Sequence, residues 1–153
     1  MVKTKEKLMR IIDFHSHILP GMDDGSQNAD MTGLMLARSA KQGVRVMAAT
    51  PHFYGDRDSI DHFLKKRQKA WESAIPLAED LGMALIAGAE VAYFDNMSQA
   101  KGIERLTLGD SRVLLLEMPF RAWGSRDIQE LERLLHSWFG SLYYMLFCRY
   151  VFW

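Results

Sequence analysis

Apolar and polar residues along the chain alternate between short β-rich runs and longer segments with helical spacing. The short runs are nearly continuous in Val, Ile, Leu and Ala, as in strands buried within a parallel sheet. The longer segments repeat apolar residues every three or four positions, and Gly43 is a natural helix stop. The pattern predicts strands at 10–19, 44–52, 83–93 and 111–119, and helices at 29–43, 58–82 and 125–140. Strands that alternate with helices indicate a parallel α/β architecture.

Two of the predicted helices carry a defined apolar stripe, and the end of the chain departs from the pattern. The first helix would bury Met31, Leu34, Met35, Ala37 and either Leu36 or Ala40. The second would bury Ile60, Phe63, Leu64, Trp71, Ala74, Ile75 and Ala78. Pro76 should kink or break the second helix. Residues 141–153 form an atypical apolar and aromatic tail, for which a fifth strand is one interpretation. No linker or repeat divides the chain, so residues 1–153 are interpreted as one domain.

Composition narrows the class of protein. The chain has 153 residues, 48% of them hydrophobic and 25% charged, with a formal net charge of zero. Such a balance gives no sign of nucleic-acid binding or of attraction to an anionic membrane. Cys148 is the only cysteine, which excludes an internal disulfide and a multi-cysteine zinc site. With neither a signal-peptide pattern nor a run of about 18 apolar residues, we expect a cytoplasmic protein that does not span a membrane.

Candidate metal ligands cluster in the segment "DFHSHILPGMDDG", residues 13–25. Residues two apart on a strand point to the same face, so His15 and His17 project together. Asp24 follows in the loop, and His52 ends the second predicted strand in "ATPH". Neutral imidazole and carboxylate groups are the usual ligands of divalent transition metals. The spacing therefore predicts a metal site rather than a polar turn.

Two glutamates interrupt apolar strands in the same way. Glu90 lies in "AGAEVAY" and Glu117 in "LLLEMPF". Burying an isolated carboxylate is costly unless it is paired or binds a metal ion. The alternative is an ion pair with Arg112 or Arg121. Four consecutive strands that each carry an acid or imidazole near the carboxyl end match the layout of a barrel active site.

These motifs resemble the PHP-superfamily tyrosine-protein phosphatases of bacterial capsule and exopolysaccharide systems, the CpsB/CapC type. The resemblance runs in order from about residue 11 to about residue 139, through "DFHSH", "DDG", "QGVRVMAATPH", "GAEV" and "LLLEMPF". His-x-His alone is shared with amidohydrolases and other PHP enzymes, whereas its combination with "DDG" is fairly specific. The resemblance implies a PHP-type distorted (β/α) barrel, of which this chain would hold the first four or five βα units.

The same resemblance implies up to three metal ions, usually manganese, with iron or zinc also suited to the ligands. The implied ligands are His15, His17 and Glu90 for the first ion, Glu90 and Glu117 for the second, and Asp24 and His52 for the third. A metal-activated water held at His15, His17 and Glu90 would attack phosphorus. The implied substrate is the phosphotyrosine of an autophosphorylating bacterial tyrosine kinase that controls polysaccharide export. A homo-oligomer is left open.

The end of the chain differs from the family pattern. Family members continue with a further histidine and an Asp-x-His pair, whereas residues 146–148 here are Leu, Phe and Cys. We therefore expect only the N-terminal part of a PHP domain, truncated at its C-terminal side. Two alternatives stay open: a PHP phosphoesterase acting on a small phosphomonoester such as histidinol phosphate, and an inactive truncated remnant.

Overall fold

The computed structural model describes residues 11–138 and 144–148, which form parallel strands connected by helices. In chain order the elements are β1 (Ile11–Ser16), α1 (Ala29–Lys41), β2 (Val44–Ala49), β3 (His52–Tyr54), α2 (Ile60–Glu79), β4 (Ala84–Ala87), β5 (Glu90–Ala92), β6 (Val113–Glu117), α3 (Ser125–Trp138) and β7 (Tyr144–Cys148). Two 3-10 turns, Met97–Gln99 and Ile103–Leu106, lie between β5 and β6. The predicted α/β class is confirmed.

Two of the long predicted strands are each divided by a short break. One sheet has the order β1-β2-β4 and the other the order β3-β5-β6-β7. Between β2 and β3 the break is Thr50 and Pro51; between β4 and β5 it is Gly88 and Ala89. Hydrogen bonds continue across both breaks, since Gly88 N donates to Ala49 O at 3.0 Å and Glu90 N donates to Pro51 O at 3.0 Å. Each broken strand therefore passes from one sheet into the other, which carries His52 and Glu90 to the start of short strands.

Capping groups set the starts of the first two helices. The Asn28 side chain accepts a hydrogen bond from Met31 N at 2.9 Å at the start of α1. Ser59 accepts one from His62 N at 3.2 Å at the start of α2. These contacts satisfy backbone donors that have no partner within the helix. Pro76 was predicted to kink or break the second helix, and it does not break it, because α2 continues to Glu79. Pro76 lies in the last turn, where its missing N–H removes a single bond.

The apolar core confirms the stripe of the second helix and corrects that of the first. In α2, Phe63, Ala74 and Ala78 are buried as predicted. In α1 the buried residues are Thr32 and Leu36, whereas Leu34 is 63% exposed. Met31 and Ala37 of the predicted stripe are also exposed. The buried face of α1 differs from the predicted one because it includes Thr32, which is buried with its polar group satisfied. The Thr32 hydroxyl donates to Ile18 O at 2.7 Å and lies 2.8 Å from Ser26 Oγ.

Part of the predicted apolar tail is described. Its backbone at Tyr144–Cys148 forms β7, which pairs in parallel with β6 from Val113↔Tyr144 to Glu117↔Cys148. The remainder of residues 141–153 lies outside the described residues. None of the helices in the described ranges has the length and apolar character needed to cross a membrane.

Candidate metal centre

Four neighbouring strand segments bring the predicted ligands to one place. His15 lies near the end of β1, and His17 follows directly after it. His52 and Glu90 begin β3 and β5, where they are direct register partners. Glu117 ends β6 and is paired with Ala92 of β5. Because all these strands run in parallel, the side chains gather at the same edge of the sheets.

The carboxylate of Glu90 is the common point of the cluster. Its side chain is completely buried, and its Oε2 lies 3.0 Å from His15 Nε2, 3.2 Å from His17 Nε2 and 3.2 Å from His52 Nδ1. His15 Nε2 and His17 Nε2 are themselves 3.0 Å apart. One carboxylate oxygen has about two lone pairs, so three imidazole nitrogens around it exceed ordinary hydrogen bonding. The nitrogens of His15 and His17 and the carboxylate oxygen lie close enough together to share one cation.

The donor set fits divalent metal ions. Three groups each place their ligand atoms within 4.8 Å of one another: His15, His17 and Glu90; His17, Asp24 and His52; His52, Glu90 and Glu117. Ligand atoms about 2.1 Å from one ion and at right angles are about 3 Å apart, close to the spacing around Glu90. Imidazole combined with carboxylate suits manganese, iron and zinc. The three groups share members, as they would in a multinuclear centre.

The other two carboxylates of the cluster, Glu117 and Asp24, lie farther from His52 than Glu90 does and are more exposed. Glu117 Oε2 lies 3.6 Å from His52 Nδ1, and its side chain is 18% exposed. Asp24 Oδ1 lies 3.8 Å from His52 Nε2, and its side chain is 83% exposed. Asp24 is therefore the least preorganised of the six predicted ligands.

Asp23, which the sequence interpretation did not assign, orients the ring of His17 and anchors the backbone of His52. His17 Nδ1 donates to Asp23 Oδ2 at 2.7 Å, which leaves Nε2 facing Glu90. The same Asp23 oxygen accepts from His52 N at 2.9 Å. A carboxylate behind a ligating histidine fixes its tautomer and ring orientation. The first aspartate of the "DDG" motif carried the signal, because it stands beside the predicted ligand Asp24.

Gly25 allows the aspartate loop to close onto the first strand. A Cβ at this position would lie 2.2 Å from His17 O and 2.3 Å from His17 Cβ. Ser26 N donates to His17 O at 2.9 Å, and Gly25 N donates to Asp23 Oδ1 at 3.0 Å. The glycine of "DDG" is thus required by this close backbone approach.

Electrostatics within the cluster favour a proton or a cation. Burial alone would lower the pKa of His17, but its hydrogen bonds to Asp23 and Glu90 outweigh this and raise that pKa to about 10. Burial and the nearby Glu90 carboxylate raise the pKa of Glu117. These contacts favour protonation of His17, with which binding of a metal ion at its Nε2 would compete.

In the described part of the chain, neither Arg112 nor Arg121 forms an ion pair with Glu90 or Glu117. Arg121 instead forms a bidentate pair with Asp127, at 2.6 and 2.8 Å. Arg112 is exposed, and it forms no ion pair within the described part of the chain. Glu90 Oε2 instead lies 3.0–3.2 Å from imidazole nitrogens of His15, His17 and His52.

Comparison with known proteins relates the chain to one family. The model of the family described as "Capsular polysaccharide synthesis, CpsB/CapC" matches residues 11–140. Tyrosine-protein phosphatase CpsB of Streptococcus pneumoniae is 37% identical over 114 residues, which are 70% of this chain and 44% of that protein. Tyrosine-protein phosphatase YwqE of Bacillus subtilis (strain 168) is 29% identical over 120 residues, 72% of this chain and 44% of that protein.

The fold also matches a solved structure. The matching chain comes from a study of the crystal structures of YwqE from Bacillus subtilis and CpsB from Streptococcus pneumoniae, which are described as unique metal-dependent tyrosine phosphatases. The TM-score is 0.66 at 27% sequence identity, and the match covers 82% of this chain and 51% of that chain. The chain spans less than half the length of CpsB and of YwqE.

Proposed function

Because the chain belongs to the CpsB/CapC family of capsular polysaccharide synthesis proteins, we propose that it is a metal-dependent protein-tyrosine phosphatase or the metal-binding part of one. The observation that carries this proposal is the approach of three imidazole nitrogens, at 3.0–3.2 Å, to one oxygen of the buried Glu90. The relatives named as tyrosine-protein phosphatases support the substrate class. The phosphotyrosine substrate would be a bacterial tyrosine kinase of polysaccharide export, met in the cytoplasm.

The proposed ligands are those of the sequence interpretation, and manganese is the proposed metal. His15, His17 and Glu90 would hold one ion, Glu90 and Glu117 a second, and Asp24 and His52 a third. Bound metal supplies Lewis acidity to water and to phosphoryl oxygens. Asp23 keeps His17 Nε2 directed at Glu90 through the 2.7 Å contact at Nδ1. The buried carboxylate of Glu90 supplies a fixed negative charge that needs no reorganisation during the reaction.

The proposed architecture is a single PHP domain whose strands form part of a barrel. Two features support it: β1 and β7 are each an outer strand of their sheet, and β1 exposes Ile12 by 48% and Phe14 by 50%. Apolar side chains on an outer strand favour coverage by further strands. Such strands would close the sheet and add ligands to the same centre.

Hydrolysis of a phosphotyrosine peptide by the purified 153-residue chain tests the activity. We expect turnover that requires manganese, disappears in His15→Ala and survives in His136→Ala, since His136 is an exposed histidine in the last turn of α3. Faster hydrolysis of histidinol phosphate than of the peptide would favour a small-molecule phosphoesterase. Absence of turnover from folded, metal-loaded chain would contradict activity of this chain and support an inactive remnant.

A further inference from the structure

A cavity of about 360 Å³ opens beside the metal centre, between β3 and the first half of α2. His52 and Asp24 of the centre form one side of it, and Tyr54, Arg57 and Lys66 form another. His15, His17 and Glu90 do not line it. A volume of this size lies within the range of ligand pockets in proteins, and it adjoins the place where a phosphoryl group would react.

Two of the three aspartates that line this cavity bond to histidines, and the third, Asp24, lies on the side of the metal centre, 3.8 Å from His52 Nε2. Asp23 bonds to His17 at 2.7 Å, and Asp58 bonds to His62 at 2.6 Å. Among the described residues, Arg57 forms one ion pair, with Asp56 at 3.8 Å, and the two side chains are 72% and 68% exposed. Pairs as open as this contribute little. Lys66 is exposed, and the described residues provide it with no ion pair. The cavity therefore offers two cations to an incoming anion.

Aromatic contacts connect one of these cations, Arg57, to the metal centre. The ring of Tyr54 stacks on His52, with centroids 5.4 Å apart and planes 26° apart. The guanidinium carbon of Arg57 lies 4.8 Å from the centroid of the Tyr54 ring. A cation over an aromatic face at this distance is held by electrostatic attraction. This contact places Arg57 beside Tyr54 at the cavity, while most of its side chain stays open to solvent.

We propose that this cavity recognises an acidic side chain that neighbours the phosphotyrosine in the substrate, with Arg57 and Lys66 as specificity-determining residues. The inference rests on the proposed phosphotyrosine phosphatase function. Because the phosphoryl group has to reach the ligand atoms around Glu90, the two cations are left for the next anionic group of the same peptide. Charge-assisted hydrogen bonds from guanidinium and ammonium groups to a carboxylate supply the selectivity.

Binding of non-hydrolysable peptides to the manganese-loaded chain tests this inference without requiring turnover. The peptides carry difluorophosphonomethyl-phenylalanine in place of phosphotyrosine, flanked on both sides by glutamate in one peptide and by alanine in the other. Their dissociation constants are measured by fluorescence anisotropy. We expect the glutamate peptide to bind about three to ten times more tightly than the alanine peptide, with a preference that shrinks as salt is added.

Variants then assign the preference to the cavity. In Arg57→Ala/Lys66→Ala the ratio of the two dissociation constants should fall to about one, while Lys65→Ala, on an exposed neighbouring position outside the cavity, should retain the wild-type ratio. Equal binding of the two peptides by the wild type, an unchanged ratio in the double variant, or no binding of either peptide would overturn the inference. The proposed function is judged separately, by hydrolysis of the corresponding phosphotyrosine peptides.

Discussion

Replacing Glu90 with glutamine should remove most of the stabilisation that manganese gives to the fold. Glu90 is completely buried, and one of its oxygens lies 3.0–3.2 Å from nitrogens of His15, His17 and His52. Glutamine keeps the size of the side chain but takes away its negative charge. The histidines would remain in place, yet the group that connects them to a shared cation would be neutral.

The size of the effect follows from linkage between binding and folding. Manganese at one hundred times its dissociation constant stabilises the folded state by about 2.7 kcal/mol, which for a chain of this length raises Tm by about 5–11 °C. Loss of a residue that hydrogen-bonds to a metal ligand typically weakens metal binding by about 10–100-fold. Loss of a direct ligand should therefore weaken it at least 100-fold. At the same manganese concentration the stabilisation would then be about 0.4 kcal/mol, a shift of about 1–2 °C.

Thermal unfolding with and without manganese measures this shift. Glu104→Gln is the matched control, because Glu104 is an exposed glutamate in the 3-10 turn Ile103–Leu106, away from the ligands. The quantity compared is the manganese-induced change in Tm, since Glu90→Gln also alters the metal-free protein. A full manganese-induced shift in Glu90→Gln would show that Glu90 does not bind the metal ion. Loss of the shift in Glu104→Gln would show that the effect is not specific to Glu90.

Two further predictions concern the loop and the fold. Gly25→Ala should lower the free energy of unfolding by about 1–3 kcal/mol and weaken manganese binding, because the added Cβ would lie 2.2–2.3 Å from atoms of His17. Gly33→Ala is the control: its Cβ would have no atom within 4 Å, and it should raise the free energy of unfolding by up to about 1 kcal/mol. Denaturant unfolding of both variants measures the difference. Asp127→Asn should lower Tm at neutral pH, because the hydrogen bond from Arg121 and a backbone bond hold the pKa of Asp127 below its usual 3.8. This contribution to stability is present above pH about 3.9 and disappears as pH falls through the lower folded-state pKa, so the Tm difference from wild type should vanish in strong acid; a difference that persists there would contradict it.

The helices could be predicted from sequence because their signals are local. Apolar spacing and the glycine after α1 predicted α1 as 29–43, against an observed Ala29–Lys41. The buried face of α1 was harder, since Thr32 is buried through hydroxyl contacts to Ile18 O and Ser26. An apolar pattern alone favours Leu34, which the structure exposes. Polar residues that are buried with satisfied hydrogen bonds leave no periodic signal.

The strand breaks and the supporting residues of the site could not be predicted for a different reason. A continuous apolar run such as 83–93 shows that the segment is buried, but it does not show that the chain changes sheets at Gly88. The positions of Glu90 and Glu117 were predictable because a carboxylate within an apolar strand needs a partner. The role of Asp23 depends on a loop that folds back onto His17. The residue pattern does not show how a loop folds, so this contact could not be predicted from it.

We propose that side chains from β1, β3, β5 and β6 together hold metal ions. Anomalous diffraction from manganese-soaked crystals of the chain, recorded at the manganese edge, would locate these ions. We expect a peak within bonding distance of His15, His17 and Glu90, and a second peak adjoining His52. Well-ordered crystals with no peak at these residues, or with manganese bound only elsewhere, would contradict it.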